Sequence, residues 1–379
     1  MDRPPRGIAG LRSANERRET LKGLVQPLEA TMKTPIRLGL IGCGGIIQQQ
    51  HLPTLLTLTE VQITALADPM PENLATVGET TAVTAEQHYA DYRDMLAKAP
   101  LDAVIIATPH HLHAEQVIAA AEAGLTVISE KPMATSLEEA TKVLDAVARH
   151  KIIYTVVHNA VFTPGALRAY ELLHSNDLPI PQVGRAKSLF PMDADRHSSS
   201  PARVWRASKA AGGGCIGDTA YHEIYSLETL MCSPVRYVEA RVQTRFFDID
   251  VDDMALLLLE HENGAVSTVS TSWGMAGAGA GELGNLCEVH TRGDCLRMVG
   301  RGTALHRLAR ATHEWSEIDL DVTDRNRTGH AGYLQTTFAA LAAGSCPPIT
   351  GEMALHNLSI IEAARLASDA RRAIDLTEL

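Results

Sequence analysis

Apolar and polar positions alternate in two different ways along this chain, and the change falls near its middle. Between Ile36 and about Asn159, short apolar runs are separated by longer amphipathic stretches, the pattern of a parallel sheet covered by helices on both faces. The runs predict strands at 36–41 (IRLGLI), 61–67 (VQITALA), 101–107 (LDAVIIA), 125–129 (LTVIS) and 152–157 (IIYTVV). Helices are predicted over 112–123 and 136–149. In the second, Ser136 and Glu139 form a capping box ahead of the apolar stripe Ala140, Val143, Leu144 and Val147.

After about residue 180 the texture becomes β-rich, with runs at 183–190, 235–247, 254–260, 265–271 and 285–290. Few helical patterns interrupt them, which predicts an α+β domain with a large, mainly antiparallel open sheet. One helix is predicted at about 217–231, and two final helical segments, 331–343 and 352–371, can return to pack on either domain. The stretch 274–284 (GMAGAGAGELG) has too little side-chain volume for a core element and reads as a mobile loop. The expected division is a tail over 1–33, an α/β domain over 34–159 and the α+β domain over 160–379.

Composition narrows the choices. A chain of 379 residues with 45% apolar residues has ample core for two domains. Its net charge of −11 repels phosphate backbones and anionic membranes, so neither nucleic acid nor membrane is an expected partner. Six cysteines without CxxC spacing read as reduced thiols, and no window approaches the roughly 18 apolar residues of a membrane span. A cytoplasmic protein is expected. Residues 1–33, polar and aperiodic, read as a disordered tail, as sequence upstream of a start at Met32, or as an arm wrapping a partner subunit.

The first strand runs directly into Gly42-Cys43-Gly44-Gly45-Ile46-Ile47. A glycine turn between strand and helix lets the backbone approach a pyrophosphate whose charge the helix N-terminus stabilises, so this is a dinucleotide site on a Rossmann-type domain. Ile47 departs from the pattern, which places a small residue there to let helix pack closely on strand. The second strand ends in Ala67-Asp68-Pro69, where a carboxylate accepts ribose hydroxyls and repels a 2′-phosphate. NAD is therefore the expected cofactor, with NADP left open. Alternatively, Asp68 caps the turn with Pro69. The next loop, Thr108-Pro109-His110-His111-Leu112-His113, lies at a strand's carboxyl end, over the cofactor. Its three histidines lack a neighbouring Cys or carboxylate, and no bound metal is expected.

The following strand ends in Glu130-Lys131-Pro132, where an ammonium can stabilise a developing alkoxide. Asp218 and His222 are spaced i, i+4 at the start of a helix, on one face, with the helix dipole favouring the carboxylate and the neutral imidazole. Alternatively, Asp218 is a cap and His222 a core histidine. Asn159 follows the next strand and can meet a nicotinamide carboxamide or a sugar hydroxyl. Trp205 and Arg206 can stack on and hydrogen-bond a polyol, and Tyr221 and Tyr225 flank His222.

In this order, the Gly42–Gly45 loop, Ala67-Asp68-Pro69, Ala107-Thr108-Pro109 with His113, Glu130-Lys131-Pro132, Trp205-Arg206, Gly212-Gly213-Gly214, and Asp218 with His222 resemble the glucose-fructose oxidoreductase, inositol dehydrogenase and rhizopine-catabolism (Gfo/Idh/MocA) family, from about residue 35 to 372. The resemblance implies an NAD(P)-dependent dehydrogenase or reductase acting on a sugar, inositol or related polyol, forming a homodimer or homotetramer through its open sheet. It implies cofactor contacts from Gly42, Gly44, Gly45, Ile46, Asp68, Thr108, Pro109, His113, Glu130, Lys131 and Asn159, and substrate contacts from Lys131, Asn159, Trp205, Arg206, Asp218 and His222. In the implied mechanism His222 takes the hydroxyl proton, Lys131 stabilises the alkoxide and Asp218 orients substrate or histidine. Val161 stands where the family often has Arg. Three other chemistries stay open: a dinucleotide- and sugar-binding regulator, glycoside cleavage by transient oxidation, and reduction of an imine or unsaturated ring.

Overall fold

The computed structural model describes residues 35–175, 177–189, 204–275, 284–320 and 329–379, and the expected N-terminal tail lies outside them. The chain divides into two compact units, one holding Gln26–Asn159 with Arg325–Leu355, the other Ala160–Asp324 with His356–Leu379. The segment 331–343 thus belongs with the N-terminal unit. There the Tyr333 hydroxyl lies 2.8 Å from Thr155 Oγ1, both side chains buried.

In this first unit, β1 (Ile36–Ile41), β2 (Val61–Ala67), β3 (His88–Tyr89), β4 (Ala103–Ile106), β5 (Thr126–Ser129) and β6 (Tyr154–Val156) form one sheet in the order β3-β2-β1-β4-β5-β6. Every pair is parallel. Leu38, Leu40, Val104, Ile105, Val127 and Ile128 are fully buried, because a parallel sheet with helices on both faces needs apolar residues at successive positions. Burial of each Leu or Ile stabilises the fold by about 1.5–3 kcal/mol. The helix Leu137–His150 starts as expected at Ser136, whose side chain accepts from Glu139 N, but the expected box is only half made. The Glu139 carboxylate instead accepts from N and Oγ1 of Thr135, one residue before the cap. Helices Pro71–Thr81 and Tyr92–Lys98, which the apolar pattern did not predict, complete the connections around β3.

The second unit is built on a nine-stranded sheet of β7 (Val183–Leu189), β8 (Val235–Gln243), β9 (Met254–His261), β10 (Val266–Ser272), β11 (Asn285–His290), β12 (Asp294–Val299), β13 (Ala304–Ala309), β14 (Glu314–Ile318) and β15 (Ile374–Asp375). Its order is β14-β13-β12-β11-β7-β10-β9-β8-β15. Only β7 and β10 pair in parallel; the other pairs are antiparallel. Helix Tyr221–Met231 packs on β7 and β11, and helix Pro164–His174 on β12 and β13. Strand β9 shows why one face stays open: Ala255, Leu257 and Leu259 point into the core, while Leu256 and Leu258 on the opposite face are about half exposed. Among the described residues no helix is long and apolar enough to cross a membrane.

Candidate functional site

The glycine loop after β1 is shaped by two different needs. Gly42 has φ +87°, and a Cβ there would stand 2.6 Å from the Ala107 carbonyl oxygen, so only glycine fits. At Gly44 a Cβ would meet nothing within 4 Å, leaving the backbone open for a pyrophosphate to approach. Gly45 is exposed and Ile46 half-buried. The helix then opens with a π turn, Ile47–His51, and Ile47 is fully buried in it. A π turn is wider than an α turn, and here it accompanies the bulky residue at the position where the fingerprint has a small one.

Asp68 fills the turn role considered for it and keeps acceptor capacity beyond it. Its Oδ2 accepts from Cys43 N at 2.7 Å, tying the glycine loop to the end of β2, while Oδ1 accepts from Met70 N and Asn73 Nδ2. A carboxylate has about four acceptor positions, so one is left for a ribose hydroxyl. Burial and the neighbouring Asp68 carboxylate push the Cys43 thiol up to about 12.

Thr108 packs its methyl beside Gly42 and donates its hydroxyl to Gln116 Oε1, and Pro109 is the N-cap of helix His110–Glu122. His113 is fully buried, with Nδ1 2.7 Å from the Pro132 carbonyl and Nε2 2.8 Å from the Thr108 carbonyl. Burial pushes its pKa down, against the hydrogen bonds to the Pro132 and Thr108 carbonyls, which raise it. In this position His113 braces the two loops from behind, where its expected role was direct contact.

The loop after β5 carries a buried acid. Glu130 Oε1 lies 2.8 Å from His51 Nε2 and 3.5 Å from His330 Nε2, and Oε2 accepts from Lys131 N at 3.3 Å. Burial pushes this carboxyl up, but the hydrogen bonds from His330 and His51 prevail and hold it well below the usual range. His330 reaches on to Asn159, with Nδ1 3.2 Å from Asn159 Nδ2. Lys131, half-buried, is joined to Pro132 by a cis peptide. The structure therefore brings Glu130, Lys131 and Asn159 into one network, through two histidines that the sequence reading did not single out. The only prior sign of His51 was a histidine on the buried face of the first helix.

The other expected residues lie in the second unit. Gly212-Gly213-Gly214 leads into a π turn, Ile216–Ala220, that holds Asp218, and helix Tyr221–Met231 follows. The turn is braced by Asp252, whose carboxylate accepts from Ile216 N at 2.7 Å, and by Trp273, whose Nε1 donates to Thr219 Oγ1. Burial raises the pKa of Asp252. Asp218 is itself buried and accepts from Arg206 Nε at 3.2 Å, while the guanidinium lies 4.2 Å from the centre of the Trp205 ring. The i, i+4 spacing puts Asp218 and His222 near one another at the start of this helix, and Nδ1 of His222 meets the hydroxyl of Tyr225 at 3.0 Å. Tyr221 is fully buried, and Val161 is buried in the core.

Among the described residues, two groups bring metal-ligating atoms within 4.8 Å of one another: His51 with Glu130 and His330, and Glu288 with His290 and Cys295. In the second, Arg185 and Arg297 already neutralise Glu288. The triplet His110, His111 and His113 is not among these groups.

Residues 36–158 match the oxidoreductase family described as having an NAD-binding Rossmann fold (GFO_IDH_MocA), and residues 167–297 match the GFO/IDH/MocA C-terminal domain. Levoglucosan dehydrogenase of Pseudarthrobacter phenanthrenivorans is 30% identical over 266 residues, 62% of this chain and 67% of that protein. D-apiose dehydrogenase of Paraburkholderia graminis is 28% identical over 372 residues, 93% of this chain and 94% of that protein. In fold, the chain is similar to an oxidoreductase domain protein from Kribbella flavida, with a TM-score of 0.81 and 20% identity over 91% of this chain and all of that one.

Proposed function

The chain belongs to the Gfo/Idh/MocA family of oxidoreductases, and from that premise we propose that it interconverts a CH–OH and a C=O carbon of a sugar, inositol or related polyol. Bound NAD supplies the hydride acceptor, or as NADH the donor. Gly42, Gly44, Gly45 and Ile46 hold the pyrophosphate, Asp68 the adenosine ribose, and the loops at Thr108–Pro109, Glu130–Lys131 and Asn159 the nicotinamide half. His222 exchanges the proton of the reacting hydroxyl, as base in oxidation and as acid in reduction. Lys131 holds the oxygen as it gains negative charge. Asp218 and Arg206, already paired, bind neighbouring hydroxyls beside Trp205.

The observation that carries this reading is the buried, ionised Glu130 next to Lys131 at the carboxyl end of β5. Relatives named for dehydrogenation of levoglucosan, D-apiose and inositol support the substrate class. A screen of sugars, inositols and their keto forms with NAD and NADP, read by nicotinamide absorbance, tests it. Turnover on at least one polyol is expected, and Lys131→Ala should lower it about 10²-fold or more. Retained turnover in that variant overturns the assignment. The exposed apolar side chains of Tyr237, Leu256, Leu258 and Val266 support homo-oligomer assembly through the sheet. Cysteines that form no disulfide support a cytoplasmic setting.

A further inference from the structure

Three side chains from separate parts of the first unit converge on one point. His51 comes from the opening turn of the first helix, Glu130 from the loop after β5, and His330 from the start of helix His330–Ala342. Their Nε2, Oε1 and Nε2 atoms all lie within 4.8 Å of one another. His51 is fully buried, and the side chains of Glu130 and His330 are 9% and 14% exposed.

An ion pair alone does not need this shape. Both imidazoles address the same carboxylate oxygen, Oε1, at 2.8 and 3.5 Å, while Oε2 is tied back by Lys131 N at 3.3 Å. Two imidazole nitrogens and one carboxylate oxygen facing a common point are the donor set of a divalent transition ion. Bonds of about 2.0–2.2 Å in a tetrahedron put ligand atoms about 3.3–3.6 Å apart, so the three atoms need shifts of only about 1 Å. The two rings meet edge to face, with centroids 5.5 Å apart and planes at 60°, so both edges can close on one ion without stacking.

Ligation needs each Nε2 without its hydrogen, whatever the state of the ring before the ion arrives. Nδ1 of His51 is buried and meets no partner among the described residues, so no acceptor at that nitrogen fixes the tautomer. The missing outer hydrogen bond, usually worth about 10–100-fold in affinity, places binding in the micromolar range and not below it.

We propose that His51, Glu130 and His330 form a binding site for a divalent transition ion of the Zn²⁺ class, held by the two Nε2 atoms and Oε1. The site uses none of the histidines of loop 108–113, and it does not depend on which polyol is the substrate.

The test is calorimetric titration of the full-length, tag-free protein, first stripped with a chelator, with ZnCl₂ at neutral pH. One site with a Kd of about 1–10 μM is expected. His51→Leu, Glu130→Gln and His330→Leu should each weaken it about 10-fold or more, at least the effect of losing an outer partner. Cys295→Ala, which breaks the other cluster, and His111→Gln should leave it unchanged. Wild-type crystals soaked in ZnCl₂ locate the ion independently, with anomalous density expected about 2.0–2.2 Å from the three ligand atoms. A purely structural role for the three side chains would lower the melting temperature of the variants, yet the wild type would take no Zn²⁺ at this point. The proposal is overturned by a wild-type Kd weaker than about 100 μM, by affinity retained in any of the three ligand variants, or by anomalous density found only elsewhere. Should the variants fail to fold, the soaked wild-type crystal decides: density at the three atoms supports the site, and its absence there overturns it.

Discussion

The Tyr225 hydroxyl lies 3.0 Å from Nδ1 of His222, one turn earlier on the same helix. The same oxygen accepts from the backbone N of Ala160 at 2.9 Å. A hydroxyl oxygen keeps a second lone pair and its own hydrogen, so Tyr225 can meet Nδ1 of His222 as acceptor or as donor, following the tautomer of the ring. With Nδ1–H donating to Tyr225, Nε2 is bare and can take a proton from a hydroxyl. Tyr225→Phe removes the partner in both states. We expect kcat to fall about 10-fold with KM within about 2-fold, as the loss of one oriented hydrogen bond predicts. Steady-state kinetics on a substrate found in the screen checks this, and unchanged kcat would reduce Tyr225 to packing.

Gly42 and Gly44 separate folding from cofactor binding. A methyl at Gly42 collides with the Ala107 carbonyl and imposes an unfavourable φ, so Gly42→Ala should cost about 1–3 kcal/mol of stability and weaken NAD binding as well. The methyl of Gly44→Ala enters open space. That variant should unfold within about 0.5 kcal/mol of wild type yet bind NAD at least about 10-fold more weakly, because the methyl occupies the approach of the pyrophosphate. Denaturant melts and NADH titration on the two proteins give the comparison. Equal NAD affinity in Gly44→Ala and wild type would remove the pyrophosphate from this loop.

The strands of the parallel sheet other than β3 were legible: β1 and β2 begin and end where the apolar runs do, and β4, β5 and β6 fall inside theirs. Edge strands were not. The β14 sequence, EWSEI, is mostly exposed, and without a buried face it has no alternation to read. Helices Pro71–Thr81 and Pro164–His174 were likewise missed. In the site, local motifs such as Gly42–Gly45 and Glu130-Lys131 were legible because backbone approach and strand-end placement are decided within a few residues. The partners of Glu130 were not, since His51 and His330 reach it only through tertiary packing. Tyr225 was visible as a neighbour of His222, but its bond from Ala160 N, far away in sequence, was not.

Glu130 links the network to pH. Its folded-state pKa lies well below the ordinary 4.5, so its contribution to stability is complete above that value and is lost as pH falls through the folded-state value. Glu130→Gln removes the charge that both histidines address, and at neutral pH it should destabilise the protein by about 2 kcal/mol. Below pH 4.5 wild type loses this advantage, and the gap between the two proteins should narrow. Urea unfolding followed from neutral to acidic pH measures it; a gap that stays constant would mean Glu130 is not the titrating group.

Asp68 separates charge from geometry at the adenosine end. Asp68→Asn keeps a carbonyl oxygen for Cys43 N, the buried loop contact, while removing the charge that repels a 2′-phosphate. The ratio of NADP to NAD affinity should rise about 10-fold or more, while loss of the bonds from Met70 N and Asn73 Nδ2 costs about 1–2 kcal/mol of stability. Asp68→Ala leaves the Cys43 N–H buried without its acceptor, which costs about 1–3 kcal/mol, and it should loosen the glycine loop and weaken both cofactors. Titration of each variant with NADH and NADPH, beside a melting curve, distinguishes the two effects. If Asp68→Asn left the NADP to NAD ratio unchanged, the carboxylate would be serving the turn alone, and the cofactor preference would have to come from another group near the end of β2.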